Sequence, residues 1–200
     1  MPDPNIPFRF IPHKSRSKLR LLCGMLVFRL MRGAYWALNR ARFAKQTKIP
    51  LEQLKRDFPY VAATHSSPIF RNLSKEDTEL QNGKAVNLAL AAQRVNGTLV
   101  KSGEVFSFWR LIGNPTKRRG FKSGMMLVNG KPAAHIGGGL CALSNLIYWM
   151  TLHTPLTVTE RFRHSYDVFP DSNRTVPFGS GATCVYNYRD LMIQNNTAAD

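Results

Sequence analysis

Residues 137–144 of this 200-residue chain read Gly-Gly-Gly-Leu-Cys-Ala-Leu-Ser, three glycines followed directly by an apolar run. Glycines let the backbone turn sharply and approach a partner closely. The run from Leu140 to Leu152 has an apolar face and stops before Pro155, so we predict a helix that starts at the glycines. This arrangement places Cys141 in the first turn of that helix.

Further elements are predicted on both sides of this helix. Alternation and β-branched residues predict strands, Asn-Gly pairs predict a hairpin turn and a helix end, and Ala/Leu-rich sequence predicts a second helix. The predicted elements are the Ala85–Val95 helix, the Val105–Trp109 strand, the Met125–Val128 and Lys131–Ile136 hairpin turning at Asn129-Gly130, and the strands Leu156–Arg163 and Ala182–Ile193. We therefore predict an α+β fold, with an antiparallel sheet packed on the Cys141 helix and a basic helical arm before it.

The positive charge is concentrated near the N-terminus. Of the formal net charge of +16, residues 1–56 carry +11 from 13 Lys/Arg and 2 Asp/Glu, and residues 57–200 carry +5 from 15 and 10. Leucines recur at intervals of three and four between Ser15 and Lys45, which predicts a basic amphipathic helix. Such an arm suits an anionic membrane surface, although a solvated arm without a specific partner explains the charge equally well.

The arm contains no obvious membrane span. The longest apolar run, Leu21–Phe28, has eight residues, whereas a spanning helix needs about 20. No clear signal-peptide cleavage site follows it. We predict three regions: a basic helical arm over 1–56, a connector over 57–83, and a folded domain over 84–200. The arm is a candidate for membrane association.

The three cysteines, Cys23, Cys141 and Cys184, are too few and too widely spaced for a disulfide framework. Neither CxxC nor a Cys/His cluster with zinc spacing occurs. We therefore expect neither a metal nor a cofactor.

Cys141 is the strongest candidate for chemistry. Free N–H groups at a helix start stabilise a thiolate, lower the pKa of the thiol, and can receive an oxyanion. His164 follows later in the chain, just past a predicted strand, and could return as the general base, oriented by Asp167 or Glu160. The residues equally allow a structural thiol beside a tight turn.

Other residues could contact a substrate of this site. We predict Gly137, Gly138, Gly139, Ser144 and Trp109 as substrate-binding residues, although Trp109 and Ser144 also suit helix or core packing. The basic loop over 117–122 could bind carboxylates or phosphates, or form a solvated face. His135, just before the glycines, could line the same loop.

Several motifs together give the C-terminal half a family resemblance. They are Ser102-Gly-Glu-Val-Phe-Ser-Phe-Trp-Arg-Leu111, Val128-Asn-Gly130, Gly137-Gly-Gly-Leu-Cys141, Ser144-Asn145, His153-Thr-Pro-Leu156, Glu160-Arg161, His164, Phe169-Pro170 and Asn195-Asn-Thr197. In order and spacing they resemble the VanW family of vancomycin-type glycopeptide-resistance accessory proteins. The resemblance implies a cell-envelope role, a peptidoglycan peptide or precursor as partner, and an L,D-transpeptidase-like acyl transfer in which Cys141 is the nucleophile and His164 the base.

The chain departs from the family pattern at three places. Ala142 replaces a glutamine, Phe162 replaces a histidine, and the chain stops after Asn195-Asn-Thr197, where relatives add strand. Loss of an oxyanion donor costs about 10²–10³ in rate. The alternative is therefore a non-catalytic peptide-binding module or an inactive, truncated copy. No nucleic-acid recognition motif is present, so nucleic acid is a disfavoured partner.

Overall fold

The computed structural model describes residues 17–47, 49–70, 75–128, 131–163 and 180–198. These residues form helices and antiparallel strand pairs, which confirms the predicted α+β class. The helices are α1 (Lys18–Leu38), α2 (Leu51–Asp57), α3 (Lys75–Val95), α4 (Phe108–Ile112) and α5 (Cys141–Thr151). The strands are β1 (Lys45–Gln46), β2 (Thr98–Leu99), β3 (Val105–Ser107), β4 (Ser123–Val128), β5 (Lys131–Ile136), β6 (Thr157–Glu160) and β7 (Met192–Gln194).

Strand β7 is the centre of a three-stranded sheet, with β3 on one side and β6 on the other. Ile193 lies opposite Phe106 of β3 and opposite Val158 of β6. Apolar residues of the sheet, α3, α4 and α5 form one core cluster that includes Phe108, Leu140 and Leu191. Burial of these side chains is the main force that holds the helices on the sheet.

The predicted hairpin is confirmed. Strands β4 and β5 pair antiparallel from Ser123 opposite Ile136 to Val128 opposite Lys131. The turn residues Asn129-Gly130 lie outside the described residues.

The structure corrects three element predictions. Helix α3 starts at Lys75, ten residues before the predicted Ala85–Val95 helix, and runs through Asn82-Gly83, a pair that is by itself a turn signal. The predicted Val105–Trp109 strand ends at Ser107, because the Ser107 side chain accepts from the Arg110 N–H and caps α4. The predicted Ala182–Ile193 strand is interrupted by a turn at residues 186–188, where Asn187 has a φ of 56°, and only Met192–Gln194 is strand.

Helix α1 covers Lys18–Leu38, so it is shorter than the helix predicted between Ser15 and Lys45. It is also more apolar than the prediction of a basic amphipathic helix implied. Its segment Leu19–Leu38 spans 20 residues with a mean hydropathy of 1.3, enough by length and composition to cross a membrane. A signal sequence near the N-terminus has the same properties. The longest-run criterion missed this segment because Arg29 divides the apolar residues into shorter runs.

A buried polar network ties α1 to the sheet and to α4. Arg32 of α1 forms a two-pronged ion pair with Glu160 of β6, with N–O distances of 2.6 and 2.7 Å. Glu160 also accepts from the Asp190 N–H at 2.9 Å. The Asp190 carboxylate accepts from the Ser107 hydroxyl at 2.6 Å and from the Trp109 N–H at 3.0 Å. These bonds satisfy polar groups that would be costly to bury alone.

Asp190 makes the stability depend on pH. Burial raises the pKa of its carboxyl from 3.8 to about 6, despite the hydrogen bonds from Ser107 and Trp109 that favour the charged form. Between these two values the folded state binds a proton that the unfolded state does not. The contribution of Asp190 to stability is therefore largest at low pH and is lost as the pH rises through about 6.

We expect the wild type to gain about 1 kcal/mol of unfolding free energy relative to Asp190→Asn when the pH falls from 7 to 5. Asparagine keeps the shape of the side chain and does not titrate, so it isolates this single proton. Urea unfolding of both proteins at pH 5, 6 and 7 measures the difference. A difference that stays constant over this range contradicts the raised pKa.

Candidate functional site

The triple glycine is a close backbone junction between the hairpin and α5. Gly137 and Gly139 have φ values of 78° and 88°, which other residues rarely adopt. Gly138 is buried against Gly124 of β4, and a Cβ atom on either residue would collide with the backbone of the other. The three glycines are therefore required by the path and packing of the backbone.

Asn87 of α3 holds this junction together, and sequence reasoning missed it. Its fully buried side chain donates to the Gly138 carbonyl at 2.9 Å and to the Lys122 carbonyl at 3.0 Å. It also accepts from the Lys122 N–H at 2.8 Å. The available signal was an asparagine four residues from Gly83 and Ala91, in the helix row that faces the hairpin.

The Cys141 thiol is turned toward the interior. Helix α5 starts at Cys141, as predicted for the first turn, but the sulfur contacts the Cys184 carbonyl at 3.6 Å. Burial raises the pKa of the Cys141 thiol, so the predicted lowering is wrong. The apolar surroundings penalise the thiolate more than the backbone hydrogen bonds favour it.

The three N–H groups that follow Cys141 in α5 are already used. The amides of Ala142, Leu143 and Ser144 donate to the carbonyls of Gly139 and Leu140 at 3.0–3.3 Å. They are therefore engaged where the sequence predicted open oxyanion donors. A substrate oxyanion at this position would have to displace these bonds.

The partners predicted for Cys141 divide into two groups. His164 and Asp167 lie outside the described residues, so the role of His164 as a base stays a prediction. Glu160, the alternative orienting residue, instead binds Arg32 and the Asp190 N–H. Phe162, which stands in place of a family histidine, is partly exposed and carries the Arg189 guanidinium 5.4 Å from its ring centre.

Two predicted substrate-binding residues are buried and hydrogen-bonded within the chain. The Ser144 hydroxyl donates to the Ala182 carbonyl at 2.7 Å. The Trp109 indole N–H donates to the Arg189 carbonyl at 3.0 Å, and its ring packs in the core. Their role as substrate contacts stays a prediction. A substrate that contacts them would have to replace these internal bonds.

A basic cleft lies beside the triple glycine. Its volume is about 540 Å³, and we call it the basic cleft for its lining residues Lys117, Phe121, Lys122, Ser123, Ala134, His135 and Ile136. One wall is the 3₁₀ turn Lys117–Arg119 and the residues that follow, and the other is strand β5. The sequence had indicated the basic loop and His135 separately, and the hairpin brings them together.

Internal contacts fix the wall of the basic cleft that residues 117–122 form. Arg119 does not face a ligand, because its guanidinium donates to the Ile112 and Asn114 carbonyls, both at 2.6 Å. Phe121 is almost fully buried and anchors the end of the turn in the core. Lys117 and Lys122 are exposed, and none of the described residues that line the cleft is acidic. The cleft therefore offers positive charge to an anionic group.

The described residues contain no side-chain cluster that could ligate a metal ion. In the described ranges, no three His, Cys, Asp or Glu side chains lie close enough together to hold a metal ion.

The fold, the glycine junction and the motifs around it define a VanW-type domain. The family model described as "VanW like protein" matches residues 83–200, and the chain belongs to this family. It is 38% identical over 143 residues to the vancomycin B-type resistance protein VanW of Enterococcus faecalis, a match that covers 72% of this chain and 52% of that protein. It is 29% identical over 109 residues to the uncharacterized protein YoaR of Bacillus subtilis, covering 54% of this chain and 34% of that protein.

The chain thus matches about half the length of the first of these relatives and a third of the second. No solved structure matches the chain.

The buried position of Cys141 predicts a slow thiol. In the absence of lipid at pH 7.5, we expect iodoacetamide to alkylate Cys141 at least about tenfold more slowly than the exposed Cys23, because the thiolate is the nucleophile. Peptide mass spectrometry over time measures both rates in one sample. The same reaction in urea is the control and should equalise them. A native Cys141 that reacts as fast as Cys23 contradicts this account of the thiol.

Proposed function

We propose that this protein is a cell-wall accessory protein of glycopeptide resistance that binds a peptidoglycan stem peptide or precursor in the basic cleft without reacting with it. The link to vancomycin resistance comes from the family and from the printed name of the E. faecalis relative. The observation that carries the binding proposal is the basic cleft itself, whose lining within the described part of the chain has two exposed lysines and no acidic side chain.

The chemistry of the ligand fits this lining. Stem peptides carry free carboxylates, and lysine ammonium groups bind carboxylates through charge-assisted hydrogen bonds. Ala134 and Ile136 add apolar surface for alanyl methyl groups. The volume of about 540 Å³ lies in the range of small-ligand sites, about 300–1,000 Å³.

Rigidity of the cleft also supports binding. Gly137 donates to the Lys122 carbonyl at 3.0 Å, so the two walls are joined by backbone as well as by Asn87. Walls that are fixed before binding lose little conformational entropy when a ligand arrives. The triple glycine thus helps to hold the two walls of the cleft together through the bond from Gly137. This role of the glycines needs no covalent step.

Cysteine acyl transfer is the second candidate function. In its favour, Cys141 is the first residue of α5 and follows three glycines. In that reaction the thiolate would attack the stem-peptide carbonyl, release the leaving amine, and pass the acyl group to an acceptor amine. Against it stand the raised pKa of the thiol, the engaged amides of α5, and the alanine at position 142.

Binding of a fluorescent stem pentapeptide tests the proposal. We expect Lys117→Gln/Lys122→Gln to weaken binding at least about tenfold, because about 1.4 kcal/mol is lost with the two charges. Lys45→Gln/Lys101→Gln removes two exposed lysines elsewhere and should change affinity less than twofold. Fluorescence anisotropy measures all three proteins, with a C-terminally amidated peptide as the ligand control.

The same assay separates the two candidate functions. Cys141→Ala should bind the peptide as the wild type does, and mass spectrometry should show no acyl-enzyme in the wild type. Equal affinity of the cleft variant and its control would overturn the binding proposal. An acyl adduct on Cys141 would establish the catalytic alternative.

A further inference from the structure

Helix α1 presents Arg29 and Arg32 to the domain and several large apolar side chains to the outside. The Arg32 guanidinium pairs with Glu160, and the Arg29 guanidinium lies 5.9 Å from the ring centre of Tyr186. Phe28 stacks on Tyr188 with ring centres 4.8 Å apart, and Trp36 packs against both core clusters. At about 100° per residue, positions 28, 29, 32 and 36 share one side of the helix.

The opposite side is apolar and uncovered. Five large side chains on it are between 51% and 72% exposed, namely Leu19, Leu26, Val27, Leu30 and Met31. An amphipathic helix of a water-soluble domain has the reverse arrangement, with its charged face in water. A helix 21 residues long extends about 31 Å, so this apolar stripe is far larger than the scattered exposure of an ordinary surface.

Basic residues flank this stripe at both ends. Arg20 lies near the start of α1, and Arg40, Arg42 and Lys45 follow its end, all of them exposed. Long basic side chains next to an apolar helix face can reach anionic lipid headgroups while the apolar groups enter the acyl region. The region 1–56 carries a net +11, which adds attraction to an anionic surface.

We propose that α1 lies in the plane of an anionic phospholipid bilayer, with its apolar face in the acyl region and the Arg32–Glu160 ion pair holding the domain against the membrane surface. This inference goes beyond peptide binding and does not depend on it.

Two other arrangements of α1 are disfavoured by charge. A second copy packed on the same face would bring Arg20, Arg40 and Arg42 of two chains together and repel. A spanning α1 would place Arg29 and Arg32 in hydrocarbon. It would also leave the partly buried carboxylate of Glu160 without its cation. The in-plane orientation keeps the ion pair, exposes the apolar side to the acyl region, and lets Arg20 near the start of α1 reach the headgroups.

Vesicle co-sedimentation of the full chain tests the proposal. We expect it to bind mixed vesicles of phosphatidylcholine with phosphatidylglycerol as the minor, anionic component, and to bind pure phosphatidylcholine more weakly. Leu26→Glu/Leu30→Glu should lower the partition coefficient at least about tenfold, because two charges would enter the acyl region. Tyr60→Glu/Val61→Glu is the matched control, with two exposed apolar residues outside α1, and should bind as the wild type does. Circular dichroism confirms the folding of each variant.

A fluorophore on Cys23 distinguishes the orientations, because Cys23 is exposed on the apolar side of α1. Stronger quenching by a quencher near the headgroups than by one at the bilayer centre supports the in-plane helix. Stronger quenching at the centre would overturn it in favour of a spanning helix. Equal binding of the α1 variant and its control would also overturn it. A lipid-independent dimer that Leu26→Glu/Leu30→Glu dissolves would assign the face to a second copy instead.

Discussion

The hydrogen bonds of one buried amide determine how the rest of the domain is arranged. Asn87 binds the backbone of Lys122 and of Gly138, so helix α3 fixes the start of the hairpin and the entry to α5 at the same time. Without these bonds the Gly138 carbonyl and the Lys122 N–H would lose the Asn87 side chain as their partner, and the Lys122 carbonyl would keep only the Gly137 N–H. A buried polar group that is left unsatisfied costs about 1–3 kcal/mol. The bonds from Asn87 therefore fix the position of the glycine junction and the path of its backbone.

Several residues of the family motifs serve to build the fold. Ser107 caps α4 and binds Asp190, which explains the Phe-Ser-Phe-Trp motif as a strand-to-helix transition. Glu160 anchors Arg32, and Arg161 packs its guanidinium 4.5 Å from the ring centre of Tyr148. Cys141 lies in the same interior. These motif residues therefore serve internal order, and in the proposed function the exposed lysines of the basic cleft contact the ligand.

The sequence predicted the fold class, the hairpin and the helix beginning at Cys141, because these depend on local periodicity and turn residues. It could not predict that Gly83 lies inside α3, since this glycine is required by the close approach of the Ser123 backbone, a long-range contact. Nor could it predict the direction of the Cys141 side chain, which depends on which elements cover the sulfur. For the basic cleft, the sequence indicated only the basic loop over 117–122 and His135 as separate features, because the hairpin turn separates them along the chain.

The central claim is that a peptidoglycan peptide binds in the basic cleft and not at the cysteine. Titration of an unlabelled stem pentapeptide into isotope-labelled protein, followed by amide chemical shifts, tests this directly. The account predicts shifts at Lys117, Lys122 and His135, with little change at Ala142 and Cys184. Shifts concentrated around Ala142 and Cys184, with the cleft amides unchanged, would contradict it.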